Sequence, residues 1–186
     1  MRKPLALLLL VTAALALSAC GNKPQIRTEG LTEGTYLNVG PLTYQVQISR
    51  QLNPHDIQDR SYLVGIPAAQ QGLKPDEVWF GVFLRVENET GLAHPPANDI
   101  QIVDTQEESF RPVPLNVTNL FAYRSTSQVP ANEVVPLPDT PAFDTPIRGA
   151  LVLFKLTLTS LGNRPLELHI VARTGRQQTG IIDLDV

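Results

Sequence analysis

Residues 78–87 read VWFGVFLRVE, and their order decides the fold. Successive side chains of an extended chain point to opposite sides, so Val78, Phe80, Val82, Leu84 and Val86 share one face. Trp79, Gly81, Phe83, Arg85 and Glu87 share the other. Lys74-Pro75-Asp76-Glu77 turns the chain into this strand and Asn88-Glu89-Thr90-Gly91 turns it out. The second face is not simply polar, because Trp79 and Phe83 flank a glycine that exposes backbone. Two arrangements suit these rings. They form a stacked apolar platform for a partner, sugar or peptide, or they form a floor beneath another part of the chain, for which the proline-rich stretch 129–146 offers Val134, Val135, Leu137 and Phe143. Trp79 and Phe83 are the candidate binding residues on the first arrangement.

The same period of two recurs on both sides of this segment. Leu42, Tyr44, Val46 and Ile48 alternate with polar positions, and residues 61–66 (SYLVGI) read as a short strand. Residues 99–104 and 109–113 read as a hairpin joined through Thr105-Gln106-Glu107-Glu108, with another short strand expected over 120–123. Residues 129–146 hold Pro130, Pro136, Pro138, Pro141 and Pro146; each lacks the ladder donor, so an extended loop is predicted. Ala150 to Thr159 is a long strand whose first half is apolar on both faces, Gly162-Asn163-Arg164-Pro165 turns it into a strand from Leu166, and a last strand runs from Gly180. Many short strands, sixteen prolines and no amphipathic helix predict an all-β fold. A single sheet would leave its apolar face uncovered, so a two-sheet antiparallel sandwich is the economical solution.

The beginning of the chain speaks of location. Arg2 and Lys3 precede an apolar run from Leu5 to Leu17 broken by Thr12, shorter than the roughly 20 residues that span a bilayer and suited to a signal peptide. The chain's one cysteine follows directly. Leu17-Ser18-Ala19-Cys20 resembles the lipobox of bacterial lipoproteins, which implies a diacylglyceryl group on the Cys20 sulfur and cleavage before it. Because one acyl chain holds a protein only marginally, two or three are needed for stable anchoring. The expected organisation is a signal peptide over 1–19, a lipidated N-terminus and tether over 20–38, and a sandwich domain over 39–186. The expected location is the outer, extracytoplasmic face of the cell membrane. Arg2 and Lys3 leave with the leader and no acid does, which takes the formal balance from −3 to −5. An acidic body without a basic run is not built for nucleic acid.

Three stretches resemble the immunoglobulin-like domains grouped as DUF4352 on exported bacterial lipoproteins: Phe80–Thr90, then Ile100–Asp104 followed by Phe110-Arg111-Pro112, then Arg148–Phe154. The resemblance implies an immunoglobulin-like two-sheet sandwich over roughly residues 39–173, and it brings no catalytic residues.

The chemistry-bearing residues are dispersed. His55, His94 and His169 are far apart in sequence, and neither Asp56 with Asp59 nor Asp139 with Asp144 follows a cation-binding loop pattern, so no metal and no cofactor are expected. No Gly-x-Ser-x-Gly, Ser-x-x-Lys or cysteine-histidine arrangement is present. Asn88-Glu89-Thr90 and Asn116-Val117-Thr118 match the glycosylation sequon but suit turn formation. The expected function is non-catalytic: a lipid-anchored module contacting an unidentified protein or envelope partner, with the loop 129–146 as contact element. The alternatives are an extracytoplasmic hydrolase or a small-solute-binding lipoprotein with a site built from loops.

Overall fold

Strand β4 (Glu77–Glu87) occupies the middle of a sheet and is buried on both sides in a computed structural model that describes residues 26–185. The expected signal peptide, Cys20 and the first part of the tether lie outside the described residues. The remaining strands are β1 (Glu29–Gly30), β2 (Tyr36–Val39), β3 (Leu42–Leu52), β5 (Asp99–Val103), β6 (Ser109–Phe110), β7 (Val134–Val135), β8 (Ala150–Thr157), β9 (Leu166–Val171) and β10 (Thr179–Leu184). One sheet runs β1-β10-β9-β5-β6; the other runs β2-β3-β4, with β8 and the short β7 sharing the far edge of β4. Every pairing is antiparallel except that of β1 with β10. The protein is an all-β sandwich.

Between the sheets lies the larger core. Phe80, Val82, Leu84 and Val86 of β4 and Val152, Phe154 and Leu156 of β8 meet Ile100, Ile102, Leu168, Ile170 and Ile182 of the opposing sheet. The alternation expected along β3 holds through Val46 and then breaks. Val46 pairs with Leu84 but Ile48 pairs with Phe83, so Gln47 is an extra residue, a β-bulge. A one-residue slip turns every later side chain to the other face. Ile48 and Leu52 accordingly join Phe83 and Trp79 on the outside of the sheet.

Four expectations are corrected. The tether does not extend to residue 38: β1 and β2 are paired, and Leu37 and Val39 are buried, so the folded body begins before residue 39. Residues 61–66 are not a strand. The chain there forms helix α1 (Ile57–Tyr62), because the Asp56 carboxylate accepts from the backbone N–H groups of Gln58 and Asp59 at 2.8 and 3.0 Å. Gly65 beyond it takes a φ of +81° and turns the chain away. The strand expected over 120–123 reduces to one bridge of Ala122 with Leu151. The strand from Ala150 ends at Thr157, whose hydroxyl caps a second short helix, α2 (Leu158–Gly162), by accepting from Ser160 N–H at 3.1 Å. The proline-rich stretch 129–146 is irregular apart from β7.

The two sheets approach closely where β10 passes β2. A Cβ at Gly180 would stand 2.5 Å from Val39 Cγ2. Because Val39 is buried and its branched side chain is stiff, Gly180→Ala is expected to destabilise the fold by about 1–3 kcal/mol. Urea unfolding checks this: the midpoint falls without a change in slope, whereas an unchanged midpoint would mean that the corner is slack.

Candidate functional site

Trp79 and Phe83 are not on the surface. They are 3% and 1% exposed, beneath a second apolar cluster on the outer face of the β2-β3-β4-β8 sheet. An exposed platform for a partner is therefore not formed. The rings are a floor, but the proline-rich loop is not their main cover. Tyr62 and Ile66, with Leu63 and Leu73, come from the segment carrying α1, and Val113, Leu115 and Phe121 come from the segment before β7, while Leu52 at the end of β3 belongs to the floor itself. Tyr62 stands edge-on to Phe83 at 5.0 Å and to Phe121 at 4.9 Å. Val135 of the proline-rich stretch packs instead against the core between the sheets.

Polar bonds fix this cover. The buried Asp59 carboxylate takes a bidentate pair of bonds from Arg50 of β3 and a 2.7 Å bond from Asn53 N–H. The Asn119 amide donates to the carbonyls of Tyr62 and Val64, both at 2.8 Å, joining the two covering segments. Arg124 donates to the carbonyls of Leu115, Asn116 and Asn119, each at 2.7 Å. Sequence reading missed Asn119 and Arg124 because a side chain that satisfies distant carbonyls carries no local pattern.

Where the cover meets the proline-rich loop the surface opens into a cleft of about 230 Å³. Phe121, Val129, Val135, Pro136, Ala142 and Ala150 line it, together with the exposed side chains of Leu120 from the covering segment and Leu137 from the proline-rich stretch. Arg124 is the one ionisable residue of the lining, and its guanidinium is committed to three carbonyls. Asn88 braces this region from within: its amide donates to the carbonyls of Leu92, Val129 and Pro130 at 2.8–3.0 Å, and its carbonyl oxygen accepts from Thr90. Asn116 makes the same short turn with Thr118. Both sequons are thus turn formers, and Asn88, 1% exposed, has no amide free for a glycan.

A second recess of about 430 Å³ lies between Ile100 and the Leu151–Leu153 edge of β8. Tyr123 and Arg124 are its ionisable residues. Tyr123 donates to the Ala97 carbonyl at 2.8 Å while Tyr44 accepts from the Ala97 N–H at 2.7 Å, so two phenols clamp one peptide group. Burial, with the neighbouring Tyr44, pushes the Tyr123 hydroxyl well above the ordinary tyrosine range. The residues lining the two recesses include no histidine, lysine or carboxylate.

The other titratable residues are structural or apart. Glu167 and His169 lie 2.7 Å from each other, neighbours along one face of β9. His94 joins Val129 through a backbone bridge, and the His55 N–H bonds Asn53. Among the described residues no three His, Cys, Asp or Glu side chains are placed to hold a metal ion. Asp56 caps α1 and Asp59 pairs with Arg50, so that carboxylate pair is explained by the fold. Burial raises Asp59, but the Arg50 and Asn53 bonds outweigh it and hold the carboxyl below its ordinary value. Asp104 follows the same logic: burial raises it, and the Asn163 amide with the N–H groups of Glu108 and Gln106 brings it below the ordinary value. Glu33 and Asp183 go the other way. Burial raises both, aided by the charge of Asp185, and for Asp183 also by that of Glu167.

No family model and no curated protein matches the chain. Among solved structures, an uncharacterised β-sandwich protein of Clostridium difficile 630 matches with a TM-score of 0.48 at 9% identity, covering 89% of this chain and 99% of its own. A conserved hypothetical protein of Bacillus anthracis matches with a TM-score of 0.42 at 9% identity, covering 81% of this chain and 94% of its own.

Two measurements check the cover. Phe83→Ala is expected to cost about 3–5 kcal/mol, as a buried aromatic should. A loss under 1 kcal/mol in denaturant unfolding would mean that the cover does not pack. Asp59 and Asp104 carry folded values below their unfolded ones. Their stabilisation is therefore complete above the ordinary carboxyl value and disappears as pH falls through the lowered ones. Glu33 and Asp183 oppose this at higher pH, gaining stability as they take up protons. Stability is expected to decline from about pH 4 downward, and Asp59→Asn to flatten that acid limb. A parent protein equally stable at about pH 5 and pH 2 would contradict the assignment.

Proposed function

We propose that the protein is a lipid-anchored, non-catalytic extracytoplasmic module that makes protein or cell-envelope contacts through the cleft between Leu120 and Leu137. The observation that carries the contact role is the composition of that cleft: apolar walls, two exposed leucines, and one arginine already spent on backbone carbonyls. Such a lining supplies surface for a hydrophobic contact with a polar margin, and its hydroxyls, Ser127 and Thr140, have no histidine, lysine or carboxylate beside them in the lining to activate them. The lipid attachment is supported by the leader and by the Leu17-Ser18-Ala19-Cys20 box. With that attachment the protein sits on the outer face of the cell membrane without needing a spanning helix. The resemblance to DUF4352 domains points to the same setting.

A small-solute-binding role is the second reading, favoured by the recess of about 430 Å³ beside β8, a volume within the range of small-ligand sites. Native mass spectrometry of protein extracted from membranes separates the two, since a bound small molecule would appear as a fixed added mass. The anchor is tested by Cys20→Ser, which is expected to move the chain from the membrane fraction to the soluble one. A Cys20→Ser chain that still sediments with membranes would overturn the anchor. The contact surface is tested by Leu120→Asp combined with Leu137→Asp. Both side chains are exposed, so the melting temperature is expected to change little while crosslinked species formed by the parent in intact cells disappear. Crosslinks that persist in the double variant would place the contact elsewhere.

A further inference from the structure

The length of chain between the lipid site and the folded body restricts how the body meets the membrane. Cys20 is six residues before Ile26. Fully extended, six residues reach about 20 Å, whereas a body of this size is about 40 Å across. A body tied so closely cannot present all of its sides to the bilayer equally.

The end at which the chain comes in is well defined. The backbone N–H of Arg27 donates to Asn38 Oδ1 at 2.9 Å and its carbonyl accepts from Asn38 N–H at 2.6 Å, which fixes Ile26 and Arg27 beside the β2–β3 turn. That turn touches the β9–β10 turn: Gly40 N–H donates to Gln178 Oε1 at 3.2 Å, and a Cβ on Gly40 would fall 2.6 Å from the Thr174 carbonyl. Gly40 takes a φ of +63°, followed by Pro41, so this contact is built into the backbone. Ile26, Arg27, Arg173 and Arg176 are exposed on this end, and among the described residues none of the three arginines has a carboxylate partner. The sequence adds Lys23 between the lipid site and Ile26. Carboxylates share this end as well: Glu89 and Glu133 on its β4 side, Glu29 two residues from Arg27, and Asp99, which lies opposite Val171 and pairs with Arg111.

The opposite end carries more acids than bases, its exposed bases being Lys74, paired with Glu77, and Arg164, next to Asn163. Asp104, Glu107 and Glu108 lie in the β5–β6 turn, Asp183 faces Glu167 across β10 and β9, and Asp185 bonds the loop at Thr32 and Glu33 beyond the end of β10. We propose that the Ile26 end of the sandwich lies against anionic lipid headgroups through Arg27, Arg173 and Arg176, with the Asp104 end turned outward. This rests on the lipid attachment proposed for Cys20 and adds to it an orientation. The short tether brings the arginines within reach of the surface, and the acidic end is repelled by the same surface. The partner cleft, walled by Phe121 and Pro136, is then carried at a fixed height above the bilayer.

The full chain, processed in a bacterial host and reconstituted into vesicles of phosphatidylcholine and phosphatidylglycerol, tests the orientation. A fluorophore is placed at Gln177→Cys or Thr105→Cys, both exposed positions, and a headgroup-attached quencher is included in the bilayer. Strong quenching at 177 and little at 105 is expected. Arg27→Glu with Arg176→Glu should lower the ratio of the two severalfold without loss of flotation, each arginine near an anionic surface being worth about fivefold in occupancy. High salt should act in the same direction. Equal quenching at the two positions in a protein that floats overturns the orientation and leaves the anchor standing. Failure to float with any vesicle overturns the anchor, and the orientation with it.

Discussion

A strand with large apolar residues on both faces cannot be satisfied by one opposing sheet. β4 sends Phe80, Val82, Leu84 and Val86 into the sandwich and Trp79 and Phe83 out of it, and β8 repeats the division with Val152, Phe154 and Leu156 against Leu151 and Leu153. Leaving two aromatic rings and several aliphatic side chains in water would forgo about 1.5–3 kcal/mol for each. The chain therefore needs a third layer, and it has no long amphipathic helix to supply one. It uses irregular segments, which have the disadvantage that their backbone groups are not satisfied by a ladder.

That disadvantage accounts for two of the buried polar residues, Asp59 and Asn119, and for the half-buried Arg124. Asp59, Asn119 and Arg124 each bind backbone groups of the covering segments, and Arg50 ties them to β3. The bulge at Gln47 serves the same end, because it moves Ile48, Arg50 and Leu52 to the covered side of β3. The same covering segment forms one wall of the cleft at Leu120, and Arg124 reaches the lining as well as the carbonyls. The shape of the cleft is thus coupled to the packing over Trp79.

The parts legible in the sequence were those with a regular period. Alternation from Val78 to Glu87 and apolarity on both faces from Ala150 to Phe154 gave the long central strands and indicated that a second face needed covering. Tyr62, Leu63, Val64 and Ile66 misled because their β-prone side chains were read apart from Asp56, whose capping carboxylate starts α1 upstream. The proline-rich stretch offers apolar residues for a cover, but contact across the sheet is decided by which crossing segments reach it, and these are the ones carrying Tyr62 and Phe121. The bulge could not be read at all, since an inserted residue leaves the apolar spacing of β3 unchanged. For the candidate site, the floor under Trp79 and Phe83 was one of two open arrangements. The cleft between Leu120 and Leu137 arises from loops that meet only after folding.

Trp79 is the chain's one tryptophan, so it reports on the covered face without interference. The most direct test of the account is acrylamide quenching of its fluorescence in the native protein, followed through a denaturant titration. The account predicts a blue-shifted, shielded indole that becomes quenchable in the same transition that unfolds the sheets. An indole readily quenched in the native state, or released well before the β signal is lost, would show that the third layer is not part of the fold.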